Sequence, residues 1–315
     1  MSDDSTQLTT TQFFENIEIG IGTWAWGDRI FWGYGSGYND QDLKEVFEFC
    51  CQRSFTFFDT AEVYGQGRSE RLLGKFMQEI DYPVRIATKF MPFPWRLNKN
   101  SLRRALQASL KRLERSKVEL YQIHWPFPPV RIETWMEALA ESVQGGLAKA
   151  VGVSNYDRTQ MQRAFESLAR MGVPLASNQV EYHLLNRKVE KDGLLRQCQE
   201  LGVRLIAYSP LAQGALTGKY SPQSPMRGFR ERRYNRHLLE RIQPLIQRMK
   251  QIGQEHGGKT ISQVAINWVI CKGALPIPGI KNVRQAEDNF GAAGWRLTEE
   301  EIALLDEWSE RVMAG

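Results

Sequence analysis

Side chains that ligate metals or form disulfides are scarce in this sequence. Its 315 residues include four cysteines and four histidines. Cys50 and Cys51 are adjacent in an apolar helical stretch, Cys198 and Cys271 stand alone, and no Cys-x-x-Cys occurs. His124, His183, His237 and His256 are far apart, so no zinc-type ligand spacing is present and no metal is expected. The cysteines read as buried free thiols in a reducing compartment, which predicts a cytoplasmic protein. Long apolar runs are also missing. No window offers about 18 uncharged apolar residues, which excludes a transmembrane helix. Met1–Gln12 is rich in Ser and Thr but carries Asp3 and Asp4, and it reads as a flexible tail rather than a targeting segment. Charge of one sign is in small excess: 41 Lys and Arg against 36 Asp and Glu give +5. That excess is too small and too evenly spread for a nucleic-acid binder. The densest basic run, Arg230–Arg236, has no interleaved aromatic platforms for bases. Finally, no Gly-x-Gly-x-x-Gly follows a strand. Gly33-Tyr-Gly-Ser-Gly has the wrong spacing for a Rossmann turn.

What is present is a regular alternation. Near-continuous apolar runs at Ile17–Trp24, Phe55–Ala61, Val84–Phe90, Leu120–Trp125, Ala148–Asn155, Ser177–Tyr182, Arg204–Ser209 and Ala274–Ile280 read as parallel strands buried on both faces. Amphipathic stretches at Asp40–Cys51, Ser69–Gln78, Ser101–Arg115, Ile132–Gln144 and Arg158–Arg170 read as helices between them. Eight such strands favour a closed (β/α)8 TIM barrel, with a doubly wound open sheet as the rival. Some 70 residues separate the starts of strands seven and eight. They hold a long loop, Leu211–Arg236, and helices over His237–Gln254 and Ser262–Cys271. Insertions of this kind usually act as lids or binding loops. Val283–Phe290 reads as the closing helix, and Thr298-Glu-Glu-Glu caps a C-terminal one running through Glu310. No linker divides residues 1–315, so one domain is the better count.

Functional groups of such barrels gather where the strands end. There the chain places Asp59 and Tyr64 after strand two, Lys89 on strand three, and His124 after strand four. Each alone has a structural explanation as a helix cap, a surface charge or a packed core histidine. Together they suit proton donation. A phenol is normally too weak an acid near neutrality; a neighbouring ammonium lowers its pKa, and a carboxylate holds the ammonium charged. A histidine can orient the substrate oxygen. With no nucleophile or metal cage in the set, hydride delivery from a bound cofactor is the natural partner chemistry.

From Ile17 to about Trp308 the sequence resembles the aldo-keto reductases. The resemblance rests on Gly22-Thr-Trp, Phe58-Asp-Thr-Ala-Glu-Val-Tyr-Gly, Ser69-Glu-Arg-Leu-Leu-Gly, Thr88-Lys, Ile123-His-Trp-Pro, Gly152-Val-Ser-Asn, Asn178-Gln-Val-Glu-Tyr, Tyr208-Ser-Pro-Leu, Pro276-Ile-Pro-Gly and Gln285-Ala-Glu-Asp-Asn. The opening Gly-Thr-Trp-x-Trp-Gly and the long seventh loop are similar to the branch near potassium-channel β-subunits and cyanobacterial or plastid reductases. The resemblance implies Tyr64 as general acid, tuned by Asp59 and Lys89, with His124 orienting a small carbonyl substrate. It implies that Ser154, Asn155 and Gln179 hold the nicotinamide carboxamide and that Tyr208 stacks on its ring. Gly22, Thr23 and Trp24 would border the cofactor. Ser209, Pro210, Leu211, Gln213, Gly214, Leu216, Gly218 and Lys219 would cover the pyrophosphate, supplemented by Arg227. Lys281 and Arg284 would meet a 2′-phosphate, favouring NADPH over NADH, with Pro278, Gly279 and Ile280 preceding them in the cofactor site, while Gln285, Asp288 and Asn289 would meet the adenosine. Trp24, Trp95 and Trp125, with Tyr64 and His124, would line an aromatic pocket; the same tryptophans could equally pack the loops together. Turnover of aldehydes or ketones is the leading expectation, and an NADPH-binding sensor or regulatory subunit is the alternative. No nucleic acid or membrane is expected as a partner, and a monomer is plausible.

Overall fold

Residues 13–80 and 82–314 are described in the computed structural model, so the expected tail at 1–12 lies outside the described residues. Eight strands form one parallel sheet in sequence order: β1 (Ile21–Gly22), β2 (Phe57–Asp59), β3 (Arg85–Phe90), β4 (Val118–Ile123), β5 (Ala148–Ser154), β6 (Leu175–Glu181), β7 (Arg204–Tyr208) and β8 (Leu275–Ile277). β8 returns to β1 through Gly20 N–H on Pro276 O and Gly22 N–H on Pro278 O, with a parallel bridge between Gly22 and Gly279. The result is a nearly closed (β/α)8 barrel, not an open doubly wound sheet. Continuous burial along β4 and β6 reflects its two covered faces.

The first strand is much shorter than the apolar run that predicts it. Ile17–Gly20 enters the barrel as irregular chain and Thr23–Gly27 leaves as turns, so only Ile21 and Gly22 pair with β2. Between strands lie α1 (Asp40–Gln52), α2 (Arg68–Glu79), α3 (Lys99–Leu113), α4 (Ile132–Gln144) and α5 (Arg158–Ala169). The β6–β7 connection holds two short helices that the sequence pattern does not reveal, α6 (Lys188–Lys191) and α7 (Leu194–Glu200). After β7 come α8 (Phe229–Arg233), α9 (Arg236–Arg241) and α10 (Gln243–Glu255). The single helix expected over 237–254 is thus two. They part at Ile242, with Pro244 at the start of α10, where a residue without an N–H is tolerated. Then follow α11 (Ile261–Cys271), α12 (Val283–Phe290) and α13 (Glu299–Ala314).

Two apolar layers hold the barrel. The larger lies between sheet and helices; the smaller fills the barrel interior with Phe57, Ala87, Leu120, Ala176, Ile206, Leu275 and Ile277, plugged by Phe13 and Phe14. Because strand side chains alternate between faces, Ala87 and Lys89 face the interior while Thr88 faces the helices. Among the described residues no helix is long and apolar enough to cross a membrane.

Candidate active site

The groups expected to do chemistry converge at the C-terminal end of the barrel. The Lys89 ammonium is fully buried and sits 2.5 Å from Asp59 Oδ1, 2.8 Å from Thr60 O and 3.3 Å from the Tyr64 hydroxyl. Asp59 Oδ2 accepts from Gln179 Nε2 at 2.7 Å and from Gln122 Nε2 at 3.4 Å. Each carboxylate oxygen is therefore occupied, which a buried charge requires. Tyr64 opens a kinked turn, Tyr64–Gly67, between β2 and α2, with Gly65 and Gln66 both at positive φ. Gly65 adopts φ 53°, and a Cβ there would stand 2.8 Å from the backbone of Gly27. Backbone packed on backbone thus fixes the turn that carries the phenol. His124 follows β4, and its ring lies edge-on to Tyr64 with centroids 5.7 Å apart.

The electrostatics differ from the sequence expectation in one respect. Burial raises the Tyr64 pKa; the Lys89 charge and hydrogen bond pull it down, but Asp59 opposes them and the phenol stays above its ordinary value. A lowered resting pKa is therefore not what this arrangement produces. Lys89, in contrast, is held charged: burial works against the ammonium, and Asp59 and Tyr64 more than offset it. Burial and the Lys89 charge keep His124 well below 6.5, hence neutral. Its Nδ1 is buried without a partner. Near neutral pH the site holds a protonated phenol, an ammonium beside Asp59 and a neutral imidazole.

Around these groups runs a second set of contacts. Ser154 Oγ donates to Gln179 O at 2.8 Å, and Asn155 Nδ2 donates to His124 O and Ser154 Oγ, both at 3.0 Å. The Tyr208 hydroxyl donates to Asn155 Oδ1 at 3.0 Å. Ser154, Asn155, Gln179 and Tyr208 therefore form one connected group against the Asp59–Lys89 pair. Gly22, Thr23 and Trp24 lie at the end of β1, with Thr23 Oγ1 donating to Asp59 O at 2.8 Å. Trp24 packs on Tyr64 and Trp32, at centroid distances of 6.4 and 5.4 Å.

Ser209–Lys219 loops over the rim, with Ser209, Gln213 and Gly214 at positive φ. Pro210, Leu216, Pro278 and Ile280 are buried, and Ile280 O accepts from the Trp26 indole at 2.9 Å. Lys281 projects against the loop between β1 and α1. Its ammonium donates to Trp32 O at 3.1 Å and lies over the Trp32 and Tyr38 rings. Burial, then the charges of Arg230 and Lys219, depress Lys281 to about 8. Three cations thus crowd together, which suits a polyanionic guest. Arg230 was legible only as part of a basic run; it donates to Gln213 O at 3.2 Å and to the Tyr220 hydroxyl at 3.3 Å. Arg227 and Arg284 are exposed and outside this cluster. Gln285 Oε1 accepts from the Lys281 N–H, Asp288 Oδ1 accepts from Thr260 Oγ1, and buried Asn289 keeps an unpartnered Nδ2. Leu211 and Gly218 complete the same loop, and Gly279 bridges to Gly22.

Two expected pocket residues stack on rings of their own loops. Trp95 stacks on Phe93 and is 72% exposed, and Trp125 stacks on Phe127. Neither ring is stacked on Tyr64 or His124. Among the described residues no group of three or more His, Cys, Asp or Glu could hold a metal ion.

Residues 18–310 match the model of the aldo/keto reductase family. The chain belongs to that family. Pyridoxal reductase, chloroplastic, from Arabidopsis thaliana is 44% identical over 91% of this aldo-keto reductase and 82% of its own length. A thermostable aldo-keto reductase solved with the inhibitor epalrestat is 31% identical, with a TM-score of 0.75 over 92% of this chain and 94% of that one. An aldo/keto reductase from Klebsiella pneumoniae solved with NADP and acetate is 29% identical, with a TM-score of 0.72 over 92% and 90%. This aldo-keto reductase is accordingly an oxidoreductase of an NADP-using family. Its Lys219–Arg230–Lys281 cluster and the orphaned Asn289 amide fit a phosphorylated dinucleotide.

Proposed function

We propose that this enzyme reduces aldehydes or ketones to alcohols with NADPH, and that Tyr64 is the proton donor. The carrying observation is the buried Lys89 ammonium, bonded at once to Asp59, Thr60 O and the Tyr64 hydroxyl. NADPH, when bound, supplies the hydride. Everything else falls to the chain. The Tyr64 hydroxyl and neutral His124 hydrogen-bond the carbonyl oxygen and orient it. As negative charge builds on that oxygen, Tyr64 gives up its proton, and Lys89 stabilises the phenolate left behind. A phenol raised above its ordinary pKa remains protonated until an alkoxide-like oxygen demands the proton, so the acid is always loaded.

The residues that would hold the cofactor are Ser154, Asn155, Gln179 and Tyr208 at the nicotinamide. Ser209–Lys219 and Arg230 would meet the pyrophosphate, Lys281 the 2′-phosphate, and Gln285, Asp288 and Asn289 the adenosine. Lys281 favours NADPH over NADH. Trp24 beside Tyr64, with Phe31 and Trp32 around it, supports planar aromatic substrates. The name of the Arabidopsis relative adds pyridoxal, a heteroaromatic aldehyde, to the candidates. Four unpaired cysteines support a reducing compartment, for which we take the cytoplasm.

The test is to follow NADPH absorbance with a panel of aliphatic, aromatic and heteroaromatic aldehydes, pyridoxal included. Oxidation above background supports reduction; tight NADPH binding with no turnover of any member would replace it with a sensor. Tyr64→Phe should abolish turnover and leave NADPH affinity nearly unchanged. Lost cofactor binding in that variant would remove Tyr64 from the proton-donor role.

A further inference from the structure

We propose that Ser69 and Glu70, in the first turn of α2, are positioning residues that set the Tyr64–Lys89–Asp59 geometry from outside the barrel. The proposal rests on Tyr64 being the proton donor. Both side chains are fully buried, and each ties α2 to strand ends that carry the site. Glu70 Oε1 accepts from the Thr88 hydroxyl at 2.6 Å, and Glu70 Oε2 accepts from Arg112 Nε on α3, also at 2.6 Å. Thr88 is the residue before Lys89. On a strand, adjacent side chains leave by opposite faces. Anchoring Thr88 outward therefore fixes the rotation of β3 that aims Lys89 inward.

Ser69 does the same for β1 and β2. Its Oγ accepts from Thr60 Oγ1 at 2.8 Å, lies 2.8 Å from Thr23 Oγ1 and donates to Thr23 O at 3.2 Å. Thr23 in turn donates to the Asp59 carbonyl, and the Thr60 carbonyl accepts from Lys89. Two consecutive residues thus hold the Thr23 carbonyl and the Thr60 and Thr88 hydroxyls directly, and the Asp59 carbonyl through Thr23. They are also joined to Tyr64 by the kinked turn Tyr64–Gly67, leaving only Arg68 between turn and brace. The phenol sits on the turn after β2 and the ammonium on β3, and this turn is the shortest covalent route from one to the brace that holds the other.

A carboxylate at the start of a helix is also favoured by the helix dipole, and a pair with Arg112 alone would satisfy a stabilising role. A role confined to stability would also use the Thr88 hydroxyl, but its loss would then leave the pH profile of kcat and the Tyr64 environment of the folded enzyme unmoved. That gives a clean experiment. Thr88→Val preserves shape and removes the hydroxyl; Thr88→Ser restores it; Ser69→Ala opens the other half of the brace. With active sites counted by NADPH binding, Thr88→Val and Ser69→Ala should lose about 10- to 100-fold in kcat, the scale of a small misplacement of reacting groups. The Kd for NADPH should hold, the pH profile of kcat should move, and Thr88→Ser should recover the wild-type profile. In parallel, the 13Cζ resonance of Tyr64, assigned by its absence from Tyr64→Phe, should shift in Thr88→Val and return in Thr88→Ser. Wild-type kcat per site with an unmoved Tyr64 resonance in Thr88→Val would overturn the brace. If wild type reduces no aldehyde, the proton-donor assignment fails; the resonance then decides the brace alone, a hydroxyl-dependent shift upholding it and its absence refuting it.

Discussion

Lys281 shows how much a single side chain reveals through its surroundings. A lysine at about 8, lowered by burial and by two neighbouring cations, is strained electrostatically until an anion arrives. A bound phosphate favours the charged form, so binding takes up a proton wherever the free ammonium has already lost one. The sign follows. NADPH affinity should be level below about pH 8 and fall as pH rises above it, read by fluorescence titration across that range. Lys281→Arg, whose charge does not titrate there, should abolish the fall. A decline that persists in Lys281→Arg would take Lys281 out of the phosphate site. Lys281→Ala should weaken NADPH more than NADH; equal weakening would say the same. The sequence marked Asp59, Tyr64, Lys89 and His124 by their places at strand ends, and the family resemblance marked Lys281. It did not show that Arg230 rather than Arg227 completes the cluster, because a loop of arginines has no periodicity to say which one turns inward. Nor did it show Gln122, whose amide reaches Asp59 only once β4 is curved into a ring.

Short elements decide what covers the site. α8 is five residues long and none of them is buried, yet it touches two other loops and the end of β6. Phe229 meets Phe31 at 5.1 Å between centroids, Arg230 reaches Gln213 O, and Arg233 donates to Glu181 Oε2 at 2.7 Å. Burial would raise the Glu181 carboxyl, but His183 and Arg233 prevail and hold it at about 2. The latch therefore keeps its charge throughout the physiological range and weakens only when acid protonates Glu181. Arg233→Ala should release this strap: NADPH should dissociate several-fold faster in stopped-flow, with association little changed. An unaltered off-rate would make α8 a bystander. Neither α8 nor the α6–α7 pair could be read from the sequence, since four to seven residues are too few for a 3.6-residue pattern to emerge. The longer helices were legible because their apolar stripes repeat over three turns or more. The helix over 237–254 misled for a related reason, its stripe continuing across Ile242 although Pro244 marks a new start.

At the scale of the molecule, the barrel is least thickly bonded where it closes. β1 has two residues and β8 three, and a Cβ on Gly22 would stand 2.8 Å from Ile277 O. Gly22→Ala should accordingly cost about 1–3 kcal/mol, the range for overpacking a filled interior, and should weaken NADPH as Pro278–Lys281 shift. Urea unfolding with and without cofactor measures both; wild-type stability would mean that the seam yields without penalty. The eight-strand count was visible in the sequence because parallel strands buried on both faces read as unbroken apolar runs. The thinness of the seam was not, because the apolar run at Ile17–Trp24 continues through residues that pair with nothing.

That seam also sets a timetable. Trp26 meets Ile280 across 254 residues, and Lys281 reaches Trp32 and Tyr38, which leave the ribosome well before it. Contacts so distant along the chain are slow to form. A nascent or truncated chain can own Asp59, Tyr64, Lys89 and His124 and still have no complete phosphate cluster. If that cluster holds the dinucleotide as proposed, its capture becomes a certificate of finished folding, because a ligand that binds only the shut ring stabilises only those molecules.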